Sequence, residues 1–250
     1  MIVIKSPREI KALRKSGQIV ARICEKLATE VKPGITTRKL DDIAGNLIKK
    51  YNVKPAFLGY RGFPATICAS VNEQVVHGIP SDRVLIDGDI ISLDVGVIFE
   101  EYCGDMAITV PVGDISNEAK KLLQVTEESL YKGIAQGKVS SYLGDISQAI
   151  QTCAESHGFS VVRDFVGHGI GRQMHEEPQI PNFGRPGQGP RLNEGMVLAL
   201  EPMVNAGGWQ VKVLSDGWTV VTADGKLSCH FEHMVAITDN GPEILTLLDK

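Results

Sequence analysis

Four acidic residues lie in or beside short apolar runs, where charged side chains are uncommon. Asp94 lies within ISLDVGVIF, and Asp105 immediately precedes the run MAITVPV. Glu201 follows the run MVLAL, and Glu232 lies just before HMVAIT. An ionised carboxylate without a partner in an apolar interior costs several kcal/mol. These acids therefore need cations, protons or hydrogen-bond donors beside them.

An internal repeat relates these acids to one another. The segment DGDIISLD, which ends at Asp94, matches EGMVLALE, which ends at Glu201, at an offset of 107. Residues 31–43 match residues 134–146 at an offset of 103. The matches predict two similar α+β halves packed about a pseudo-two-fold axis, with the acids converging between them. The alternative interpretation is that both matches reflect common helix and strand patterns.

A glycine-rich segment, VGHGIGRQMHEEP, adds two histidines, His168 and His175, to this set. Four anions in one cleft cannot stay ionised together unless protons or metal ions balance them. Four carboxylates and one imidazole suit two divalent first-row transition metals, bridged at roughly 3.5–4 Å. A single acid in a strand is more often a hydrogen-bonded structural residue, so the metal prediction depends on the joint pattern.

The elements that must position these residues have clear boundaries in the sequence. The segment SPRE, from Ser6 to Glu9, is a capping box with proline at the first helical position. A Pro-Gly pair ends this first helix, and Thr36 or Thr37 caps a second one. Periodicity predicts further strands and helices: strands near 65–71, 90–98 and 105–112, and helices from about Asn117 and Ser141.

Length and composition favour one globular domain. With 250 residues, 43% of them hydrophobic and 22% charged, the chain can bury a full core. We expect a single domain over residues 1–250, with halves of about 1–112 and 113–250 that share this core. The net charge of −4 provides no basic signature for DNA or other nucleic acids.

The cysteine content and the N-terminus indicate the compartment. The five cysteines are odd in number and form no C-x-x-C motif, which fits reduced thiols better than a disulfide framework. The N-terminal segment lacks a signal-peptide core, and no apolar run is long enough to span a membrane. We therefore expect a soluble, cytoplasmic protein without a membrane partner.

The sequence around these residues resembles the methionine aminopeptidases of the pita-bread fold. The matching segments are NEQVVHGIP, GHGIGRQMHEEP, LALEPM and FEHMVAITDNGPEILT, and the resemblance extends over nearly the whole chain. The compact length is similar to the bacterial type I form. The resemblance implies a pita-bread (creatinase/aminopeptidase) fold, with two pseudo-symmetric α+β halves around a central curved antiparallel sheet.

The resemblance also implies a set of five metal ligands. Asp94 would chelate one metal, His168 and Glu201 the other, and Asp105 and Glu232 would bridge both. The two divalent ions would be Co, Mn, Fe, Zn or Ni, and they would lower the pKa of an attacking water. Glu201 would also carry protons.

The same resemblance implies substrate-binding residues. His77 and His175 would hydrogen-bond the scissile amide and its carbonyl oxygen. Considered alone, His77 is equally consistent with a residue of a turn. An apolar methionine pocket would be formed by Phe57, Tyr60, Phe63, Cys68, Met174 and Trp218. Phe57, Phe63 and Met174 differ from the residues most frequent in bacterial members, so we expect a pocket of altered shape that still prefers methionine.

Two further predictions concern the pair Asn72 and Ser228 and the residue His230. Asn72 and Ser228 match the family's site for a monovalent cation, Na or K, but each also suits a turn. His230 stands where the family usually has glutamine. Our hypothesis is that it hydrogen-bonds a metal ligand or a product, and the alternative is a solvent-facing histidine at the rim.

The function implied is removal of the initiator methionine from nascent proteins whose second residue is small. The substrate would be the N-terminal Met-Xaa peptide, and we expect a monomer that makes transient ribosome contact. One alternative is a proline-specific peptidase of the same fold, similar to prolidase or aminopeptidase P. The other is a non-catalytic binding module, which typically lacks the metal ligands that are all present here.

Overall fold

The computed structural model describes residues 1–248. Asp249 and Lys250, the last two residues of the predicted domain and of its second half, lie outside the described residues. The helices are α1 (Pro7–Glu30), α2 (Thr37–Lys50), α3 (Asn117–Ile134) and α4 (Leu143–Ser156), with a short 3-10 helix at Tyr60–Gly62. The strands are β1 (Lys54–Pro55), β2 (Ile67–Val71), β3 (Gln74–Val76), β4 (Ile90–Phe99), β5 (Tyr102–Pro111), β6 (Ser160–Val161), β7 (Gly167–Gly169), β8 (Glu176–Ile180), β9 (Val197–Leu200), β10 (Met203–Asn205), β11 (Val211–Val213), β12 (Val220–Thr222), β13 (Ser228–His230), β14 (His233–Thr238) and β15 (Gly241–Ile244). The α+β fold class is confirmed.

The helices begin at or near the predicted caps. The Ser6 hydroxyl accepts a hydrogen bond from the Glu9 N–H, and the Glu9 carboxylate accepts one from the Ser6 N–H, so α1 has its predicted capping box. The Thr36 hydroxyl caps α2, and α3 begins at its predicted residue. The fourth helix begins at Leu143, slightly later than predicted, where the Asp145 carboxylate accepts a hydrogen bond from the N–H of the preceding cap residue.

A long hairpin of β4 and β5 belongs to the first sheet, in which β4 lies between β1 and β2. Phe99 pairs with Tyr102 across a two-residue loop, and both loop residues, Glu100 and Glu101, have positive φ angles of 46° and 70°. Such a loop continues the twist of the paired strands. Both predicted strands are confirmed, although β5 begins earlier than predicted because the ladder continues to the loop.

A second sheet has the order β15–β14–β9–β7–β8, and all strand pairings within residues 1–248 are antiparallel. One buried cluster joins α1 and α2 to β2, β4 and β5. Another joins α3 and α4 to β9, β10 and β14. The Glu232 N–H donates a 2.9 Å hydrogen bond to the Ala107 carbonyl, which connects the segment before β14 to β5. The division at residue 112 stays a prediction.

No helix in the described part of the chain combines the length and the apolar character needed to cross a lipid bilayer.

Candidate active site

Asp94 and Asp105 lie on the same face of the β4–β5 hairpin. The register places Asp105 opposite Gly96 and Asp94 opposite Ala107. Because side chains alternate between the two faces of a strand, residues 94 and 96 share a face, and directly paired residues share it as well. The two acids are therefore diagonal neighbours across the hairpin.

Glu201 and Glu232 lie at one end of the β9–β14 ladder. Glu201 directly follows β9, Glu232 directly precedes β14, and the two strands pair at that end. His168 of β7 lies next to β9. Its Nε2 atom is 3.5 Å from Oε1 of Glu201 and 3.8 Å from Oδ2 of Asp105. The β4–β5 hairpin thus places Asp105, and the β9–β14 ladder Glu201, close to the imidazole of His168.

A compact group of three donors forms the centre of this arrangement. Ligand atoms of Asp105, His168 and Glu232 lie within 4.8 Å of one another, and all three residues are buried. The Gly169 carbonyl lies 3.0 Å from Nδ1 of His168. A carbonyl only accepts hydrogen bonds, so Nδ1 carries the hydrogen and Nε2 presents a free lone pair. This is the tautomer that a metal ion requires at Nε2.

Three of these acids each have an oxygen atom without a hydrogen-bond partner in the described residues. Oδ1 of Asp94, Oδ1 of Asp105 and Oε1 of Glu232 are buried without a hydrogen-bond partner in residues 1–248. Burial raises the pKa of Asp94 to about 7 and that of Glu201 to about 8. Burial and the neighbouring carboxylates raise the pKa of Asp105 and Glu232 well above the ordinary range. Such a set of unpaired oxygens fits divalent cations, which would balance the charges.

A cavity of about 160 Å³ opens onto these acids. Its lining includes all five predicted metal ligands, Asp94, Asp105, His168, Glu201 and Glu232. It also includes the predicted pocket residues Phe57, Tyr60, Phe63, Cys68 and Trp218 and the two predicted histidines, His77 and His175. The structure therefore brings together an apolar pocket and the acid cluster, while the roles of these residues stay predictions.

Met174 does not line this cavity; it is buried next to Phe57. A Cβ atom added at Gly96 would lie 2.6 Å from Cε1 of Phe57 and 2.9 Å from Cε of Met174, so both side chains pack over the glycine. Gly96 was not among the predicted site residues. Its signal in the sequence is a glycine inside a strand pattern, which marks a close approach of another group.

The two histidines predicted to bind substrate, His77 and His175, are held by aromatic neighbours. His77 has a φ angle of 59° and packs edge-on against Phe165 and Trp218. Burial, with smaller contributions from nearby histidines, lowers the pKa of His77 to about 4, so its ring is neutral at pH 7. Nδ1 of His175 lies 2.9 Å from the Tyr60 hydroxyl. Both rings are thus fixed at the cavity wall in defined orientations.

Arg61 lines the cavity but was not predicted. It lies in the loop GYRG, where its φ angle of 49° places it in the left-handed region between Gly59 and Gly62, which also have positive φ angles. The flanking glycines mark a tight loop in the sequence, but nothing in the sequence places this loop over the cavity.

Asn72 and Ser228 lie side by side, since the Ser228 N–H donates a 2.8 Å hydrogen bond to the Asn72 carbonyl. Their side chains have other partners. The Asn72 amide contacts Asp89 and the Ile90 N–H, and the Ser228 hydroxyl donates to Asn205. Binding of a monovalent cation at this point stays a prediction.

His230 is buried, so it is not a solvent-facing rim residue. Both of its ring nitrogens lack a hydrogen-bond partner within the described residues, and Nε2 lies 3.6 Å from Oε2 of Glu201. Glu201 therefore has an imidazole near each oxygen. The hypothesis that His230 hydrogen-bonds a metal ligand stays a prediction.

Comparisons with known proteins agree with this geometry. The model of metallopeptidase family M24 matches residues 11–239. Methionine aminopeptidase 1 of Bacillus subtilis (strain 168) is 58% identical over 246 residues, which cover 98% of this chain and 99% of that protein.

Solved structures show the same likeness. A crystal structure of methionine aminopeptidase from Thermotoga maritima is 48% identical and has a TM-score of 0.98, covering 99% of this chain and 100% of that one. The prolidase from Pyrococcus horikoshii OT3 shares the fold, with a TM-score of 0.81, but is only 22% identical, and the match covers 100% of this chain and 65% of that one. The chain therefore belongs to metallopeptidase family M24 and, within it, to the methionine aminopeptidases of the pita-bread fold.

Proposed function

We propose that this protein removes the N-terminal methionine from nascent chains whose second residue is small. The observation that carries the proposal is one cavity lined both by apolar side chains and by a metal-compatible acid cluster. The pocket suits the methionine side chain, because sulfur–aromatic contacts are favourable. A cavity of about 160 Å³ leaves little room beyond that side chain, which supports a small second residue.

The unpaired buried oxygens support two divalent ions as cofactors. Asp94 would hold one ion, His168 and Glu201 the other, and Asp105 and Glu232 would bridge them. When bound, the ions would polarise the scissile carbonyl and lower the pKa of the attacking water. Carboxylates with one imidazole accommodate several first-row metals, so cellular supply would decide which is used.

The protein's own groups would position the substrate and transfer protons. If the Tyr60 hydroxyl donates to Nδ1 of His175, Nε2 of His175 carries a hydrogen that can bind the carbonyl oxygen of the scissile bond. The neutral ring of His77 would bind the scissile amide. Glu201, kept ionised when metal is bound, would take a proton from water and pass it to the leaving amine.

Turnover of peptides Met-Xaa-Ser, with Xaa varied from glycine to leucine, tests this function. With Co²⁺, Mn²⁺ or Fe²⁺ we expect release of methionine that falls at least tenfold as Xaa enlarges, since the cavity is small. Removing the metal with a chelator should abolish turnover, and adding it back should restore it. Xaa-Pro dipeptides serve as the comparison: their hydrolysis in place of Met-Ala-Ser would favour a proline-specific peptidase. No turnover with any metal would favour a binding module.

A Gly96→Ala variant tests the methionine pocket. The added Cβ would meet Phe57 and Met174 at less than van der Waals distance, so these side chains must shift. Because Phe57 lines the cavity, its displacement should weaken substrate binding, and we expect the KM for Met-Ala-Ser to rise about tenfold, or about 1.4 kcal/mol. Metal content should not change. In the control Gly45→Ala the added Cβ meets only the Thr66 hydroxyl at 3.8 Å, and KM should stay the same. An unaltered KM in Gly96→Ala would contradict the assignment of the pocket.

Other properties belong to the same proposal. All five cysteines are buried and free, which supports a reducing compartment such as the cytoplasm. A monomeric state, transient ribosome contact and a bound monovalent cation remain predictions.

A further inference from the structure

A groove of about 570 Å³ lies next to the catalytic cavity. Three residues, Arg61, His168 and His175, line both the cavity and the groove. On the proposed function, the first substrate residue fills the apolar pocket and the scissile bond lies at the acids. The rest of the peptide must then leave the cavity, and the groove that shares these residues provides the path.

Arg61 stands where the cavity meets the groove. Its guanidinium lies 5.4 Å from the centre of the Tyr60 ring, and the Tyr60 ring stacks on His175 with centroids 5.5 Å apart. Its backbone adopts a left-handed conformation that is strained for a residue with a side chain. The loop thus stacks the Arg61 guanidinium on the Tyr60 ring, which in turn stacks on His175 of the cavity.

Arg61 forms no ion pair within residues 1–248. Arg163 shares this property, whereas the exposed arginines Arg38 and Arg172 each pair with a carboxylate. Glu176, which also lines the groove, is already paired with Lys5. Glu177 lines the groove but not the cavity. The junction therefore presents an unpaired positive charge to whatever emerges from the cavity.

We propose that Arg61 binds an acidic side chain at the third residue of the substrate, so that the enzyme prefers nascent chains with Asp or Glu at that position. The third residue is the first to leave the cavity, because the first residue occupies the pocket and the second lies at the acids. This inference rests on the proposed function. Arg61 is then a specificity-determining residue, not part of the bond-breaking machinery.

C-terminally amidated peptides Met-Ala-Xaa-Ser, with Xaa as Asp, Asn or Lys, test the proposal with metal-loaded enzyme. An exposed ion pair changes an equilibrium by up to about fivefold. We expect kcat/KM for Asp to exceed that for Lys by about fivefold at low salt, and the ratio to shrink in 0.5 M salt, roughly as screening predicts. Arg61→Gln should bring the ratio to about one, Arg61→Glu should reverse it, and Arg61→Lys should retain it.

Arg163→Gln is the matched control. Arg163 is exposed and stacks on Trp209 and Phe183, as Arg61 stacks on Tyr60, but it lines neither the cavity nor the groove. Its variant should keep the wild-type ratio. A ratio near one in the wild type, or one that Arg61→Gln leaves unchanged, would overturn the proposal while the function stands. Absence of turnover for all three peptides would instead reject the proposed function.

Discussion

An Asp105→Asn variant should lose at least about 100-fold in kcat/KM, and its metal-free form should be more stable than the metal-free wild type. Asp105 is buried beside Asp94 and Glu201, and burial with their charges raises its pKa. Without metal, the neutral amide removes the cost of burying or protonating this carboxyl, which we expect to stabilise the fold by about 1–3 kcal/mol. With metal, the same change removes a proposed metal ligand. Urea unfolding with and without chelator, together with metal analysis, measures both effects.

Asp89→Asn is the control for this experiment. Asp89 is also buried, but its carboxylate accepts hydrogen bonds from the Asn72 amide and the Ile86 N–H. Its replacement should destabilise the protein to a similar extent with and without metal. If Asp105→Asn destabilised both forms equally, Asp105 would be a structural acid and the metal assignment would fail.

The strands that carry the first two acids could be predicted because they depend on local features. Two adjacent apolar runs indicate β4 and β5, whereas Asp94 and Asp105 share a face only in the register that the two-residue loop sets. The capping box of α1 is equally local. The Glu100–Glu101 loop is different: both residues adopt positive φ angles that usually indicate asparagine or glycine, so the sequence does not give its turn type.

The remaining parts of the site depend on tertiary packing. Arg61 reaches the cavity only because its loop folds over β4, and Met174 lies behind Phe57 because Gly96 leaves space there. The burial of His230 likewise depends on how β13 pairs with β10. Strands of two or three residues, such as β6 and β7, are too short to show periodicity. None of these features has a local signal strong enough to predict it.

The metal-free protein should lose stability as the pH rises from 6.5 to 9, whereas the metal-loaded protein should not. In the metal-free fold, burial raises the pKa of Asp94 from 3.8 to about 7 and that of Glu201 from 4.5 to about 8. The folded state therefore binds more protons than the unfolded state, and this stability is lost as the pH rises through the folded-state values. We expect a loss of about 3 kcal/mol over this range.

The upper part of the range separates the acids from the histidines. Burial lowers the pKa of His77 and His168 from 6.5 to about 4, so their contribution to stability has the opposite sign and is nearly complete by about pH 7.5. Urea unfolding in chelator at pH 6.5, 7.5, 8.5 and 9 measures the loss. A double variant, Asp94→Asn with Glu201→Gln, should reduce the loss and leave the part that comes from Asp105 and Glu232, whose pKa values burial also raises. Bound metal replaces the protons, so saturating metal should flatten the pH dependence. If the stability of the metal-free wild type stayed constant or rose over this range, the acids would already be compensated within the protein. The argument for two bound cations would then lose its physical basis.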